Sequence, residues 1–184
     1  MQNKKITEIF SSFGGREMDV RLRTLNMDDY DIVLNWSKDD VFCSANGWKK
    51  DRSAEEIYKW WSNCVNNKSE DFIRKGIEYN GKLVGYVDLA CIKDLSAEIG
   101  IAIGESNLWG KAIGANAAIC MMDYASKELG ITILNGETHK TNYRSRKMLE
   151  NLGFKEISRI GDEYYMGSRT ELIQYKIILT DEDT

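Results

Sequence analysis

The chain has 184 residues, of which 42% are apolar, 29% charged and 10% aromatic. This composition is typical of one soluble globular domain and argues against a disordered, collagen-like or multidomain chain. The 29 acidic residues outnumber the 25 basic ones, which gives a net charge of -4. A general nucleic-acid-binding domain is usually strongly basic, so we expect no general nucleic-acid binding. The charge mildly favours a cationic small molecule as ligand.

No apolar stretch approaches the roughly 18 residues of a membrane-spanning helix, and the chain does not start with the apolar run of a signal peptide. We therefore expect a cytoplasmic protein that does not bind membranes. The four cysteines form no C-x-x-C pair and His139 is the only histidine, so we expect no metal site. A serine or cysteine hydrolase would have to use His139 as its base.

The start of the chain predicts a short helix ahead of the main domain. Apolar residues from Ile6 to Phe13 have helical spacing, and Gly14-Gly15 follows directly. We assign residues 1–17 to this leading amphipathic helix and residues 18–184 to a single domain, because no internal repeat or change in composition marks a second one. The helix could pack on its own domain or on a second subunit, which leaves a homodimer open.

The next segments predict one strand and two helices. Val20 and Leu22 alternate with arginines, which is typical of a half-buried strand. Helical spacing predicts one helix over residues 28–37. A second helix is predicted to begin after Ser53, because Ser53-Ala54-Glu55-Glu56 has the pattern of a capping box.

The middle of the chain has the period of strands. Residues 72–79 and 82–91 are two strand-like runs joined by Asn80-Gly81, a pair that favours a two-residue hairpin turn. In the segment 98–104, isoleucines occupy one face, and Glu98, Gly100 and Ala102 occupy the other. The small residues either accommodate close packing or leave room for a ligand, and the pattern alone favours neither.

The second half predicts two helices and three strands. A long helix is expected over residues 112–129, ended by Gly130, and a strand over 131–138. Asn142 is expected to cap a further helix that Gly153 ends. Strands over 154–160 and 171–179 close the domain.

Two segments combine small, polar and basic residues at predicted helix starts. The first, 108–115, lies between a strand and a helix, where free backbone amides favour an anion and Lys111 could add a positive charge. It matches neither the Walker A pattern nor GxGxxG, so an ordinary turn is the alternative. The second, 142–154, contains Arg144, Arg146 and Lys147, which could equally be solvated charges on a capped helix.

The order of these segments resembles the GNAT superfamily of N-acetyltransferases, and within it the subgroup related to the ribosomal-protein N-terminal acetyltransferases. The resemblance covers roughly residues 19–179 and implies an α/β (α+β) fold, with a mixed, mostly antiparallel twisted sheet flanked by helices. It also implies that acetyl-CoA, as co-substrate, binds where two central strands splay apart. The matching segments are Asn35-Trp36, Asn80-Gly81, Ala97-Glu98-Ile99-Gly100, Trp109-Gly110-Lys111, Asn142 with Ser145, and Gly153-Phe154.

The resemblance also implies which residues bind the co-substrate. The family's pyrophosphate loop falls on residues 109–114, where Ala112 replaces the first glycine. Alanine is unstrained at this position only if its φ is helical. The pantetheine arm would pair with the strand containing Gly100 like an added strand. The residues assigned to the co-substrate in this way are Trp109, Gly110, Lys111, Ala112, Ile113 and Gly114 of the loop, Ile101, Ala102 and Ile103 of the strand, and Asn142, Arg144 and Lys147 of the following helix.

The implied reaction transfers an acetyl group to a primary amine of a small molecule or of a protein N-terminus. A carboxylate should remove the amine proton, and a backbone amide near Ile101 should stabilise the carbonyl oxygen. The resemblance makes Glu98 the first candidate base and Glu163 the second, and each could instead be an ordinary surface glutamate. The family's tyrosine acid is replaced by Leu149, and Ser145 is the residue that the subgroup would use instead.

Two other functions compete with this prediction. A non-catalytic acyl-CoA-binding or regulatory module could have the same fold, and Ala112 and the missing tyrosine favour it. A doubly wound nucleotide-binding domain would need repeated strand-helix-strand units, which the Asn80-Gly81 hairpin contradicts. Acceptor specificity should depend on aromatic-rich parts of the chain, which are Trp36, Trp60, Trp61 and residues 39–48 and 164–165. These aromatic residues either belong to the core or line a pocket for the amine. In the second case, acidic neighbours would attract the amine, and the candidates are Asp39, Asp40, Glu55 and Glu56.

Overall fold

A computed structural model describes residues 4–5 and 19–180 of the chain. The leading helix expected over residues 1–17 lies outside the described residues apart from a two-residue strand. The strands are β1 (Lys4–Lys5), β2 (Val20–Arg23), β3 (Ile73–Tyr79), β4 (Lys82–Lys93), β5 (Ser96–Ile103), β6 (Ile133–His139), β7 (Lys155–Ser158), β8 (Asp162–Tyr165) and β9 (Ser168–Thr180). The helices are α1 (Tyr30–Trp36), α2 (Asp40–Ala45), α3 (Ala54–Val65), α4 (Ile113–Leu129) and α5 (Tyr143–Leu152).

The strands form a mixed, mostly antiparallel sheet. Its order is β1-β9-β6-β5-β4-β3-β2, and β7 and β8 pair with other parts of β9. Only the β5–β6 and β1–β9 pairs are parallel among the described strands. This topology confirms the predicted fold class, and it is incompatible with a doubly wound domain, whose sheet is mostly parallel.

Short-range sequence signals explain where several elements start and end. The Ser53 hydroxyl accepts from the Glu56 amide while the Glu56 carboxylate accepts from the Ser53 amide, which confirms the capping box. Asn80 and Gly81 have φ values of 50° and 75°, as a two-residue hairpin turn requires. No helix in the described ranges is long and apolar enough to cross a membrane.

The sheet has a core on each of its two faces. On one face, α4 and α5 cover apolar residues such as Val87, Ile99 and Leu134. On the other face, α1, α2 and α3 cover an aromatic cluster that includes Trp36 and Tyr86. The expected core role is thus observed for Trp36 and Trp61, both of which are fully buried. The remaining candidate aromatics differ, since Trp60 is half-buried and Tyr164 is exposed.

The end of the chain differs from the prediction of two closing strands. A third strand, β8, pairs with the first residues of β9 through a tight turn in which Met166 and Gly167 have φ values of 50° and 85°. Three consecutive residues of β8 are exposed, so the segment lacks the alternation that identifies a half-buried strand. β9 therefore begins at Ser168, three residues before the predicted start.

Candidate active site

The central parallel pair, β5 and β6, separates partway along its length. Its last pair is Glu98 with Asn135, although β5 continues to Ile103 and β6 to His139. α4 follows β5 and α5 follows β6, so both helices begin at the open end of this cleft. The splayed strands that the resemblance implies are therefore present in the sheet.

Backbone direction decides which residues of β5 line the cleft. The Gly104 amide donates to the Val84 carbonyl of β4 at 2.8 Å. Because successive residues of a strand direct their backbone groups to alternate sides, Ala102 also faces β4, whereas Ile101 and Ile103 face the cleft. The Ala102 side chain is buried in the aromatic cluster. Contrary to the expectation, Ala102 thus offers neither backbone nor side-chain contacts to a ligand in the cleft.

Trp109 connects the loop after β5 to both walls of the cleft. Its indole Nε1 donates to the Ile103 carbonyl at 2.8 Å, so the last carbonyl of β5 on this side already has a partner. The guanidinium of Arg144, in the first turn of α5, lies 4.5 Å from the centre of the indole ring. Arg144 therefore contacts the loop through a cation–π interaction.

The loop itself has the backbone of an anion-binding turn. Gly110 and Ala112 have φ values of 80° and 62°, both in the left-handed region. No side chain caps α4, whereas Ser53 caps α3 and Asn142 caps α5. The first amides of α4 consequently lack an intrahelical acceptor, and this helix start lies at the open end of the cleft, which favours an anion. The φ of Ala112 is therefore not that of a right-handed helix, and its conformation is strained by about 1–2 kcal/mol.

Gly114 lets the start of α4 pack closely against α5 and β5. A Cβ at this position would lie 3.5 Å from the Met148 sulfur of α5 and 3.8–3.9 Å from the Ile101 and Ile103 side chains. The neighbouring Ile113 side chain is buried in the core, so only its backbone is available to a ligand.

Asn142 and Ser145 lie at the start of α5. The Asn142 Oδ1 accepts from the Ser145 amide at 3.2 Å, so this oxygen caps the helix and only the side-chain NH2 group is left to contact a ligand. The half-buried Ser145 follows in the first turn. Lys111 and Lys147 are exposed near the loop and the α5 face, respectively, where they can approach an anion without losing hydration.

Carboxylates collect on the sheet face opposite α4 and α5. Paired residues share a face, so Glu98 lies beside Asn135, and Glu137 and His139 follow on the same face of β6. Displacement of water by neighbouring protein atoms raises the pKa of Glu98, and the like charge of Glu137 raises that pKa further. The Glu137 carboxylate accepts from the Gln174 amide group at 2.8 Å. Sequence reasoning missed Glu137, because its proximity to Glu98 depends on the register of the two strands.

Glu163 lies at the far end of the cleft wall. Its carboxylate is 3.5 Å from the His139 Nε2, and the His139 ring stacks on Tyr165 with centroids 4.4 Å apart. His139 lies four residues beyond Asn135, a distance of about 13 Å along a strand. The structure therefore does not bring the two candidate bases, Glu98 and Glu163, together.

The acidic residues considered for an amine pocket have local partners instead. Asp39 caps α2 by accepting from the Val41 and Phe42 amides, and it also accepts from the Ser106 amide. Asp40 pairs with Lys50 and Glu55 pairs with Lys59, while Glu56 belongs to the capping box.

A cavity of about 790 Å³ lies at the other end of β5, away from Glu98. It is open to solvent and is lined by residues of α1, the β3–β4 hairpin and the turn Ser106–Leu108. Trp36 is one of its lining residues, and the Trp36 indole N–H has no hydrogen-bond partner within the described part of the chain. The cavity is distinct from the cleft between β5 and β6.

The cleft, the uncapped helix start and the family comparison agree on the class of this protein. A family model described as acetyltransferase (GNAT) domain matches residues 19–155. The fold and the cleft thus define an acyltransferase domain. The chain belongs to the GNAT acetyltransferase family.

Individual relatives are distant. An uncharacterized protein of Methanocaldococcus jannaschii is 29% identical over 147 residues, which are 79% of this chain and 30% of that protein. The chain thus spans less than a third of the length of this curated relative.

Solved structures with the same fold cover most of the chain. Spermidine N-acetyltransferase from Vibrio cholerae, crystallised with CoA and spermine, has a TM-score of 0.73 at 21% identity, covering 86% of this chain and 95% of that one. A domain from Methanocaldococcus jannaschii has a TM-score of 0.67 at 26% identity, covering 89% and 100%. These structural similarities support the assignment of this fold to the chain.

Proposed function

We propose that the protein transfers the acetyl group of acetyl-CoA to a primary amine. The observation that carries this proposal is the cleft between β5 and β6, which joins an uncapped helix start on one side of the sheet to Glu98 on the other. Membership of the GNAT family supports acetyl transfer in general. CoA and spermine in the Vibrio cholerae structure support this pair of reactants by analogy.

The residues around the cleft fit acetyl-CoA, which supplies an activated thioester when bound. The amides of residues 110–114 would hold the diphosphate, because the left-handed Gly110 and Ala112 give this turn the backbone of an anion-binding nest. Lys111, Arg144 and Lys147 would add positive charge. The arm would run along the cleft edge of β5, where it could contact the Ile101 backbone and the Ile103 amide, since the Ile103 carbonyl is bonded to Trp109. The Asn142 NH2 group would donate to the same arm.

We assign the chemistry to three groups of this chain. Glu98 accepts the proton that the attacking amine loses, and its raised pKa makes it a better base than an ordinary glutamate. The Ile101 amide donates to the carbonyl oxygen as negative charge develops there. The Ser145 hydroxyl donates a hydrogen bond to the departing thiolate, in place of the family's tyrosine at the Leu149 position. Glu163 is the second candidate base, and its separation from Glu98 means that the two would not act together.

Residues 18–184 would form the transferase domain in this proposal. Two acceptors remain compatible with it, a small-molecule amine and a protein N-terminus. The Vibrio cholerae neighbour is named for a small polyamine. The resemblance to the ribosomal-protein N-terminal acetyltransferases supports a protein N-terminus instead.

Release of CoA thiol across a panel of primary amines tests the proposal. We expect saturable release that needs both acetyl-CoA and an amine, and calorimetry should show acetyl-CoA binding in the absence of the amine. Binding without thiol release for any amine would instead support a non-catalytic acyl-CoA-binding module, which the strained Ala112 and the missing tyrosine favour. No binding at millimolar acetyl-CoA would overturn both functions.

A further inference from the structure

A row of three residues crosses the sheet beside Glu98. Arg74 on β3 is paired with Asp88 on β4, and Asp88 is paired with Gly100 on β5. Residues that are directly opposite share a face, and Gly100 shares its face with Glu98 two positions earlier. The row therefore lies on the face that contains the proposed base.

Gly100 is a glycine that neither packing nor backbone conformation explains. A Cβ there would meet only Asp88, at 3.8 Å from its Cβ and 4.0 Å from its Oδ2. At Gly104, by contrast, a Cβ would overlap the Trp36 ring, and at Gly85 it would overlap the Ala102 carbonyl. Gly100 is also absent from the positive-φ glycines. The missing side chain thus leaves an opening that the protein itself does not fill.

This opening lies at the reaction centre that the proposed function requires. Glu98 is the last residue of β5 that pairs with β6, so Gly100 is already in the splayed part of the strand. The next residue is Ile101, whose backbone faces the cleft. An amine at Gly100 would therefore lie between the proposed base and the proposed donor to the carbonyl oxygen.

Asp88 is held in position beside the opening. Arg74 binds both of its carboxylate oxygens, with Nε to Oδ1 at 2.7 Å and Nη2 to Oδ2 at 2.6 Å. The Arg74 guanidinium in turn lies 4.1 Å from the Tyr86 ring centre and 5.4 Å from that of Trp60. The ion pair offsets the Asp88 charge, yet each carboxylate oxygen keeps a lone pair for a further donor. Asp88 can consequently orient an N–H group without holding the amine as a tightly paired ammonium.

We infer that Gly100 and Asp88 form the seat of the acceptor amine. The inference rests on the proposed function. Asp88 accepts a hydrogen bond from the amine, and Glu98 takes its proton. Because Gly100 has no side chain, the carbon that bears the amine can approach the β5 backbone, and a Cβ at this position would narrow that approach.

Acetylation of n-butylamine tests this seat. Gly100→Ala should lower kcat/KM for n-butylamine at least tenfold, the lower end for one methylene in a hydrophobic pocket. Its Kd for acetyl-CoA, measured by calorimetry, should stay within twofold, because the added methyl lies on the acceptor face.

Asp88→Asn provides a second variant that keeps the shape of the side chain. We expect a KM for n-butylamine that is raised at least fivefold, with the acetyl-CoA Kd unchanged. Unchanged amine kinetics in Gly100→Ala or in Asp88→Asn would overturn the inference while leaving acetyl transfer intact. Failure of the wild-type protein to acetylate any amine would overturn the proposed function and the inference with it.

Discussion

The indole of Trp109 donates a hydrogen bond to the backbone carbonyl of Ile103 at 2.8 Å. This bond ties the loop that precedes α4 to the last residue of β5. Because Arg144 of α5 rests on the same indole ring, one side chain connects the loop to both walls of the cleft. Trp109 thus organises the loop without contributing a charge.

Replacement of Trp109 should weaken acetyl-CoA binding in two steps. Trp109→Phe keeps a ring under Arg144 but loses the donor to Ile103, and one such bond contributes about 0.5–1.5 kcal/mol. We expect calorimetry to give a Kd for acetyl-CoA that is raised between about twofold and about tenfold. Trp109→Ala also removes the ring and should weaken binding further. Tyr58→Phe, which removes a hydroxyl from an exposed ring on α3, should leave the Kd unchanged. Equal affinities for all of these proteins would show that the tie does not organise the loop.

Ala112→Gly should stabilise the protein. Ala112 has a φ of 62°, and glycine adopts this conformation without the clash that a Cβ causes. Part of the gain is offset by the greater freedom of glycine in the unfolded chain, so we expect the free energy of unfolding to rise by about 1 kcal/mol. Urea unfolding measures this difference. Ala54→Gly, in the first turn of α3, is the control and should lower stability instead. A loss of stability in Ala112→Gly would contradict the strained conformation.

The pH dependence of acetyl transfer should identify Glu98 as the base and show the effect of Glu137 on the pKa of Glu98. A base must be deprotonated, so kcat/KM should fall as the pH drops through the pKa of Glu98, which burial and Glu137 raise. This decrease at low pH is the acid limb of the pH profile. Glu98→Gln should remove the acid limb together with most of the activity. Glu137→Gln removes a like charge, which lowers the Glu98 pKa and moves the limb to lower pH. The charged groups that face Glu98 from neighbouring strands are Asp88 with Arg74, Glu137 and Lys176.

Glu163→Gln is the control for this pH series. Glu163 lies beside His139 and far from Asn135, so its replacement should leave the acid limb in place. An acid limb that disappears in Glu163→Gln and persists in Glu98→Gln would transfer the role of base to Glu163.

The buried ion pair between Arg74 and Asp88 should be sensitive to removal of one partner. The two side chains are only 13% and 14% exposed, so Arg74→Met leaves an unpaired carboxylate in a poorly hydrated site. We expect a loss of about 3–5 kcal/mol in the free energy of unfolding, measured in urea. The double variant Arg74→Met with Asp88→Leu removes both charges and should recover much of that loss. A double variant that is as unstable as the single one would assign the effect to packing around Arg74.

Signals contained within a few residues allowed much of the fold to be predicted. The Ser53 capping box and the Asn80-Gly81 turn depend on contacts between near neighbours, so the sequence displays them directly. β8 was missed because three of its residues are exposed and its pairing depends on the Met166-Gly167 turn. The left-handed conformation of Ala112 was equally inaccessible, since alanine rarely adopts it and no local pattern indicates it.

The candidate site could be predicted only where its residues follow one another in the chain. The loop at 109–114 and Glu98 were found from the order of the motifs. Glu137 and Asp88 were missed, because their positions beside Glu98 depend on strand register. The roles of the small residues on the same face as Glu98 could also be assigned only from the structure. Ala102 and Gly104 accommodate Trp36 and its aromatic cluster, so of these three residues only Gly100 leaves space for a ligand.

The cleft can form only late in synthesis, because one of its walls depends on β9. One wall of the cleft is β6, which is paired along residues 133–139 with β9, the last strand of the described chain. Until residues 172–178 have emerged from the ribosome, β6 lacks a neighbour on that side, and the pairing spans a long stretch of sequence, which slows folding. The loop and Glu98 are synthesised much earlier. A nascent chain would therefore contain most of its functional residues before it could arrange them, and acquisition of activity should coincide with docking of β9.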